Sequence, residues 1–262
     1  MNSVSNTMRD AMTMLRRQVV HTIRYPVILM IAGIPVILLL LFVYVFGGTM
    51  GAGLAGGTGG RGVYLAYVLP GILLMTVAMG AQGTAISVSM DMTQGIVARF
   101  RTMAISRGAV LSGHVAISMI QQGIGVALVV GAALLIGFRS TTGPIQWLGA
   151  VGVLAMVALA VTWLSVACGL VTNSVEMASN LPMPLMLLPF LGSGFVPTAT
   201  LPVAMRWFAE YQPFTPIIET LRGLLVGTPI GASAWVAMAW CLAITAVGYL
   251  WSVRLYGRER PS

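Results

Sequence analysis

Of the 262 residues, 58% are hydrophobic and only 8% charged. That balance leaves no stretch long enough for a soluble nucleotide-binding or catalytic domain, which takes about 100–200 residues. The formal charge of +8 rests on fourteen arginines, with no lysine, and these flank apolar runs, which excludes a nucleic-acid reading of the basicity and fits the positive-inside bias of membrane proteins.

The first element is amphipathic. Met8, Met12, Leu15, Val19 and Ile23 recur at spacings of three and four, one stripe of a helix, with Arg9, Arg16, Arg17 and Arg24 on its flank and opposite face. This predicts an interfacial helix over residues 1–26, lying on the membrane until Pro26 turns the chain into the bilayer. Apolar runs follow at Val27–Phe46, Tyr64–Met90, Ala109–Phe138, Leu148–Thr172 and Trp235–Val253. A bilayer core about 30 Å thick takes about 20 apolar residues at 1.5 Å each, and all five runs meet that length. A sixth run, rich in proline (Pro182, Pro184, Pro189), begins at Leu181 and fades near Val196; missing backbone bonds at these prolines predict kinks.

The connections differ in kind. Gly47–Gly62 reads as a flexible, glycine-rich loop, and Arg139–Trp147 is short. Between Val196 and Ala234, prolines (Pro197, Pro202, Pro213, Pro216, Pro229) alternate with apolar pieces such as Val203–Phe208 and Ile217–Val226. Those pieces are too short to span and fit re-entrant or interfacial helices. Arginines at both termini and in the 91–108 connection outnumber those on the other side (Arg61, Arg139, Arg206, Arg222) by ten to four. Both termini are therefore expected in the cytoplasm, which requires an even number of crossings. The expected architecture is all-α and multi-pass in the cell membrane. It has an interfacial helix (1–26), a six-span transmembrane domain (27–253) with short re-entrant external helices between spans five and six, and a cytoplasmic tail (254–262).

Little in these spans suggests catalysis. Ser193 sits among glycines, but the two histidines, His21 and His114, lie on the surface helix and at a cytoplasmic helix end, out of reach as its base. No histidine pair shares a helix face for a metal, and Cys168 and Cys241 read as small buried side chains. No catalytic residue, metal or cofactor is expected on this chain. Carboxylates are absent from mid-span positions, so the driving energy is expected to enter from outside the bilayer. The 91–108 connection is the most informative polar stretch. A short helix from about Gln94 to Met103 presents Ile96, Val97, Phe100 and Met103 as an apolar patch beside Arg99 and Arg101, with Arg107 following. An aromatic anchor flanked by arginines suits docking into a groove of a soluble partner.

Two segments carry a family likeness. One runs from Ser89-Met90-Asp91 through Arg99 and Arg101 to Ser106-Arg107-Gly108, with Ala104 where proline is common. The other holds Gly194-Phe195-Val196-Pro197, Leu201-Pro202, Pro213-Phe214-Thr215-Pro216, Glu219, Arg222 and Gly227, with Gln212 in place of the usual asparagine. In this order the chain resembles the membrane subunits of ATP-binding-cassette exporters of the type-2 permease family, especially daunorubicin-resistance-type permeases. The resemblance implies an ATP-driven exporter permease acting with a second permease copy or a related permease. It also implies two copies of a separate ABC ATPase, which carries ATP and Mg, and it makes Gln94–Arg101 the coupling helix and Val203–Val226 the external re-entrant pieces. Family cargoes include drugs, lipids and polysaccharides. A cavity lined by Met75, Met79, Met183, Met186 and Phe190 is the expected substrate site, since methionine and aromatic side chains adapt to varied apolar ligands. Glu219 and Arg222, at i and i+3, are spaced to pair. The rival readings are an ion-coupled carrier and a non-transporting membrane scaffold.

Overall fold

The computed structural model describes residues 26–54, 60–93 and 107–257, all helix, turn or connection with no strand among them. The expected interfacial helix over 1–26, all but Pro26, and the expected coupling helix over Gln94–Arg101 lie outside the described residues. The elements in order are α1 (Pro26–Leu41), a π-helical segment (Phe42–Phe46), α2 (Gly47–Leu54), α3 (Arg61–Thr93), α4 (Arg107–Ile136) and α5 (Pro144–Val171). After these come α6 (Val175–Asn180), α7 (Met183–Leu187), a 3-10 turn (Thr198–Thr200), α8 (Val203–Tyr211), α9 (Phe214–Val226) and α10 (Ser233–Gly257). Among the described residues, five stretches are long and apolar enough to cross a membrane: Gly33–Leu54, Arg61–Thr93, Leu111–Ile136, Pro144–Val171 and Ser233–Leu255.

The sequence of α3 is apolar all round, and a helix of that kind must be covered on every side. Leu65, Val68, Leu69, Ile72, Leu73 and Leu74 are accordingly buried, and α3 forms the centre of the bundle. α5 packs along it and also against α10, while α1 and α4 close other sides. The outer helices keep one apolar face uncovered, as Ile37 on α1, Leu135 on α4 and Leu242 on α10 show; in a membrane those faces meet acyl chains. Small residues let the backbones approach. A methyl group on Gly169 of α5 would lie 2.6 Å from the Ala85 carbonyl of α3, and one on Gly248 of α10 would lie 2.8 Å from the Leu164 nitrogen of α5.

Two expectations change. Most of the Gly47–Gly62 stretch is helix, since the first span continues through the π segment to Leu54 and α3 begins at Arg61. Glycine disfavours helix by about 1 kcal/mol relative to alanine, but here packing compensates. Gly47 and Gly51 are buried, Gly47 against Arg61 and Gly51 against the Gly60 backbone. The proline-rich run, for its part, does not form one long helix. It forms only the short α7, just after α6, and continues as turns to Val196, because Pro182, Pro184 and Pro189 each remove a helical donor.

Candidate functional site

The α8–α9 hairpin folds against this broken stretch and against α3, and its shortest tie goes to a carbonyl that a proline strands. In a continuous helix the Ser193 carbonyl would accept from residue 197, which is Pro197 and has no N–H. It accepts instead from Arg222 Nη2 of α9, at 2.6 Å. The same nitrogen donates to the Tyr67 carbonyl at 3.3 Å, beside the carbonyl of Ala66 that Pro70 leaves without its helical donor. The guanidinium also lies over the Tyr67 ring, 3.9 Å from its centroid. Arg222 thus ties three elements together through neutral acceptors and a π face.

A second tie sits at the hairpin's corner. Gln212, buried between α8 and α9, donates from Nε2 to the Leu188 carbonyl at 2.9 Å. The Thr215 hydroxyl donates to the Ala209 carbonyl, which fixes the corner itself. Gly192 faces both side chains so closely that any side chain there collides with Gln212 and Thr215. At the far end of α9, three consecutive hydroxyls cap three consecutive carbonyls. Thr142 donates to Leu224, Ser140 to Leu225 and Thr141 to Val226, each at 2.8 Å. Gly227, at φ 85°, ends the helix in the left-handed conformation that glycine adopts without penalty.

Glu219 and Arg222 do not pair. Glu219 Oε2 accepts from Ser233 Oγ at 2.9 Å, and the contacts between carboxylates and basic side chains among the described residues are Asp91–His114 and Arg206–Glu210. Helical spacing permits an i, i+3 pair, but the Ser193 and Tyr67 carbonyls compete for the guanidinium and hold it. Pro213 caps α9 and Pro216 lies in its first turn, where a missing N–H costs nothing. Of the expected cavity residues, Met75 is buried in the α3 core and Met79 half-buried, whereas Met183 and Phe190 are exposed and Met186 half-buried. Phe190 stacks on Phe195 with centroids 4.2 Å apart, and Phe195 lies 4.7 Å from Phe42 of the π segment. That aromatic cluster joins the broken stretch to the first span. At the opposite end of the bundle, His114 Nε2 meets Asp91 Oδ2 at 3.0 Å and clamps the ends of α3 and α4. The coupling turn falls between those two helices, and of its expected residues only Arg107, the first of α4, is described, as backbone.

Gly71 offers a direct test of the α3 contact. A methyl group there would lie 2.9 Å from the Gly194 carbonyl and 3.0 Å from its Cα, against backbone that cannot swing away. Overpacking of this kind costs about 1–3 kcal/mol. Gly71→Ala is therefore expected to lower the thermal stability of the purified protein, while Gly83→Ala, at a position open to its surroundings, should leave it unchanged.

Comparison with known proteins places these elements in context. The profile of the ABC-2 type transporter family matches residues 9–226. The daunorubicin resistance ABC transporter permease protein DrrB1 of Streptomyces coeruleorubidus is 30% identical over 227 residues, which are 85% of this chain and 76% of that protein. The probable doxorubicin resistance ABC transporter permease protein DrrC of Mycobacterium tuberculosis is 24% identical over 189 residues, 70% of this chain and 68% of that one.

Proposed function

Because the chain belongs to the ABC-2 type transporter family, we propose that it is the membrane-spanning permease of an ATP-driven exporter. It moves a hydrophobic or amphipathic substrate, such as a drug, lipid or glycolipid, out of the cytoplasm or the inner leaflet. The observation that carries this reading is the family match over residues 9–226, which runs from the amphipathic N-terminal segment through the α8–α9 hairpin. The cargoes in the relatives' names, daunorubicin and doxorubicin, are the first substrates to test. ATP and Mg belong to a separate ATPase, present in two copies, and a second permease completes the membrane unit. The α6–α7 stretch with the turns that follow is the sixth crossing, which returns both termini to the cytoplasm.

The hairpin suggests how the outer end is controlled. The stretch around residues 188–193 keeps only a few turn bonds of its own, such as Leu191 N–H to the Leu187 carbonyl, and is held by Gln212 and Arg222 from the hairpin. A segment fixed by a few side-chain bonds can change position at lower cost than a continuous helix, which suits an outer gate.

The decisive experiment reconstitutes the permease with its ATPase in liposomes and follows daunorubicin movement. Transport should require ATP hydrolysis and persist when the proton gradient is collapsed. Loss of transport on collapse, with ATP still high, overturns the ATP-driven reading. Orientation has its own test. Cysteine at Gly57 should react with an impermeant maleimide in intact cells, and cysteine at Ser106 only after permeabilisation. Cys168 and Cys241 are buried and give little background. External labelling at Ser106 reverses the topology.

A further inference from the structure

Midway along the 30-residue α4 lies Gln122, only 2% exposed. Its surroundings are polar in an otherwise apolar interior. Nε2 donates to Ser118 Oγ one turn back, at 2.9 Å, and to Thr162 Oγ1 of α5, at 2.8 Å. Ser118 in turn bonds Thr84 of α3, whose hydroxyl reaches the Gly80 carbonyl at 3.2 Å. This branch is closed, because an amide N–H feeds a hydroxyl, that hydroxyl a second, and the second a backbone carbonyl. Room for it comes from Gly80, where any side chain collides with Gln122.

The other branch is open. Gln122 Oε1 and Ser165 Oγ are both buried and make no hydrogen bond to protein. Ser165 is wholly buried and sits at i+3 from Thr162, so its Cβ is about 5–6 Å from that of Thr162 on the same helix face. Turning the amide over does not close the branch, since it strands two N–H groups in place of one oxygen. A polar group without a partner costs free energy even in a soluble core, and the bilayer offers no bulk water to relieve it. Such pairs of orphan atoms are where proteins hold internal water, which bridges about three polar groups per molecule.

We propose that the junction of α3, α4 and α5 binds an internal water molecule at bilayer depth. The water donates to Gln122 Oε1 and exchanges a hydrogen bond with Ser165 Oγ. The Thr162 hydroxyl, which accepts from Gln122, supplies its own proton as a third bond. The node is then fully satisfied: the water bridges α4 and α5, and the Ser118–Thr84 bond links α4 to α3 directly. The inference stands on the node's hydrogen-bond inventory and does not depend on the transport reading.

The test is X-ray hydroxyl-radical labelling of the full-length protein in lipid nanodiscs, followed by mass spectrometry. Radicals form at bound water and oxidise adjacent side chains. Met119, half-buried and one turn from Gln122 on α4, reads the node, and its labelling is expected to be several-fold above that at Met75, which is buried in the apolar α3 core. Gln122→Leu and Ser165→Ala should each lower labelling at Met119 several-fold, a change that its partial exposure alone does not produce. Ser165→Ala removes a single hydroxyl and carries the test if the leucine variant does not fold. Wild-type labelling no higher than at Met75 overturns the proposal, and so does labelling that the variants leave unchanged.

Discussion

Arg222→Leu is expected to be the most damaging single change in the hairpin, with loss of transport and a drop in stability of about 4 kcal/mol. Two hydrogen bonds from a charged donor contribute about 1.5–3 kcal/mol each, and the stacking on Tyr67 about 0.5–2 kcal/mol. Native domains are stable by only about 5–15 kcal/mol, so this loss is a large share of the total. Leucine also leaves the Ser193 and Tyr67 carbonyls without their side-chain donor in a region that excludes water. Arg222→Lys keeps the charge but loses the planar fork and the stacking surface, and should recover only part of the stability. Glu219→Gln should be mild by comparison, at most about 1 kcal/mol, because its amide oxygen still accepts from Ser233. The two residues share no hydrogen bond, so although they sit one helical turn apart and attract through space, the double variant should be no more stable than Arg222→Leu alone. Thermal unfolding in nanodiscs measures all four proteins. A double variant more stable than Arg222→Leu alone means that the two charges act as a pair, and the carbonyl-tie account then fails.

That prediction reverses what spacing alone suggests, and the reason is general. The i, i+3 separation of Glu219 and Arg222 is a local property, whereas the partners Arg222 takes lie 29 and 155 residues away. The sequence shows that Pro197 strands the Ser193 carbonyl, but not which side chain arrives to satisfy it. The spanning helices were legible because apolar length is a local quantity. The helical character of Gly47–Leu54 was not, because it depends on Gly51 lying against Gly60 and Gly47 against Arg61. The prolines marked the break in the sixth run, and the structure adds only where its carbonyls go. Gln122 left no signal, since one amide among apolar neighbours barely alters a hydropathy count. Its importance comes from Thr162, 40 residues on. The hydroxyl triplet Ser140, Thr141 and Thr142 reads as an ordinary polar turn until the end of α9 is placed above it.

The largest effect on coupling is expected at the other end of the bundle. Residues 94–106 connect α3 to α4, and the Asp91–His114 contact at 3.0 Å binds those two helices just inside the connection. An ATPase that pushed on the connection would thereby move both spans together, with α3 leading to the centre of the bundle. If Phe100 anchors the connection in a groove of the ATPase, Phe100→Ala should weaken association by about 2 kcal/mol, or roughly thirtyfold. Membrane insertion should be unaffected, because Phe100 lies outside every span. Arg99→Ala and Arg101→Ala should cost less, and their effect should shrink as salt is raised, because rim charges are screened over about 8 Å at physiological ionic strength. Asp91→Ala separates docking from transmission. It should leave association intact, because the contact it breaks lies within the bundle, while lowering substrate-stimulated ATP hydrolysis. Co-purification of the ATPase measures the first quantity and steady-state hydrolysis in proteoliposomes the second. Should Phe100→Ala keep full association and full stimulation, the arginines of this connection serve only to hold it on the cytoplasmic side, and the ATPase must engage the permease elsewhere.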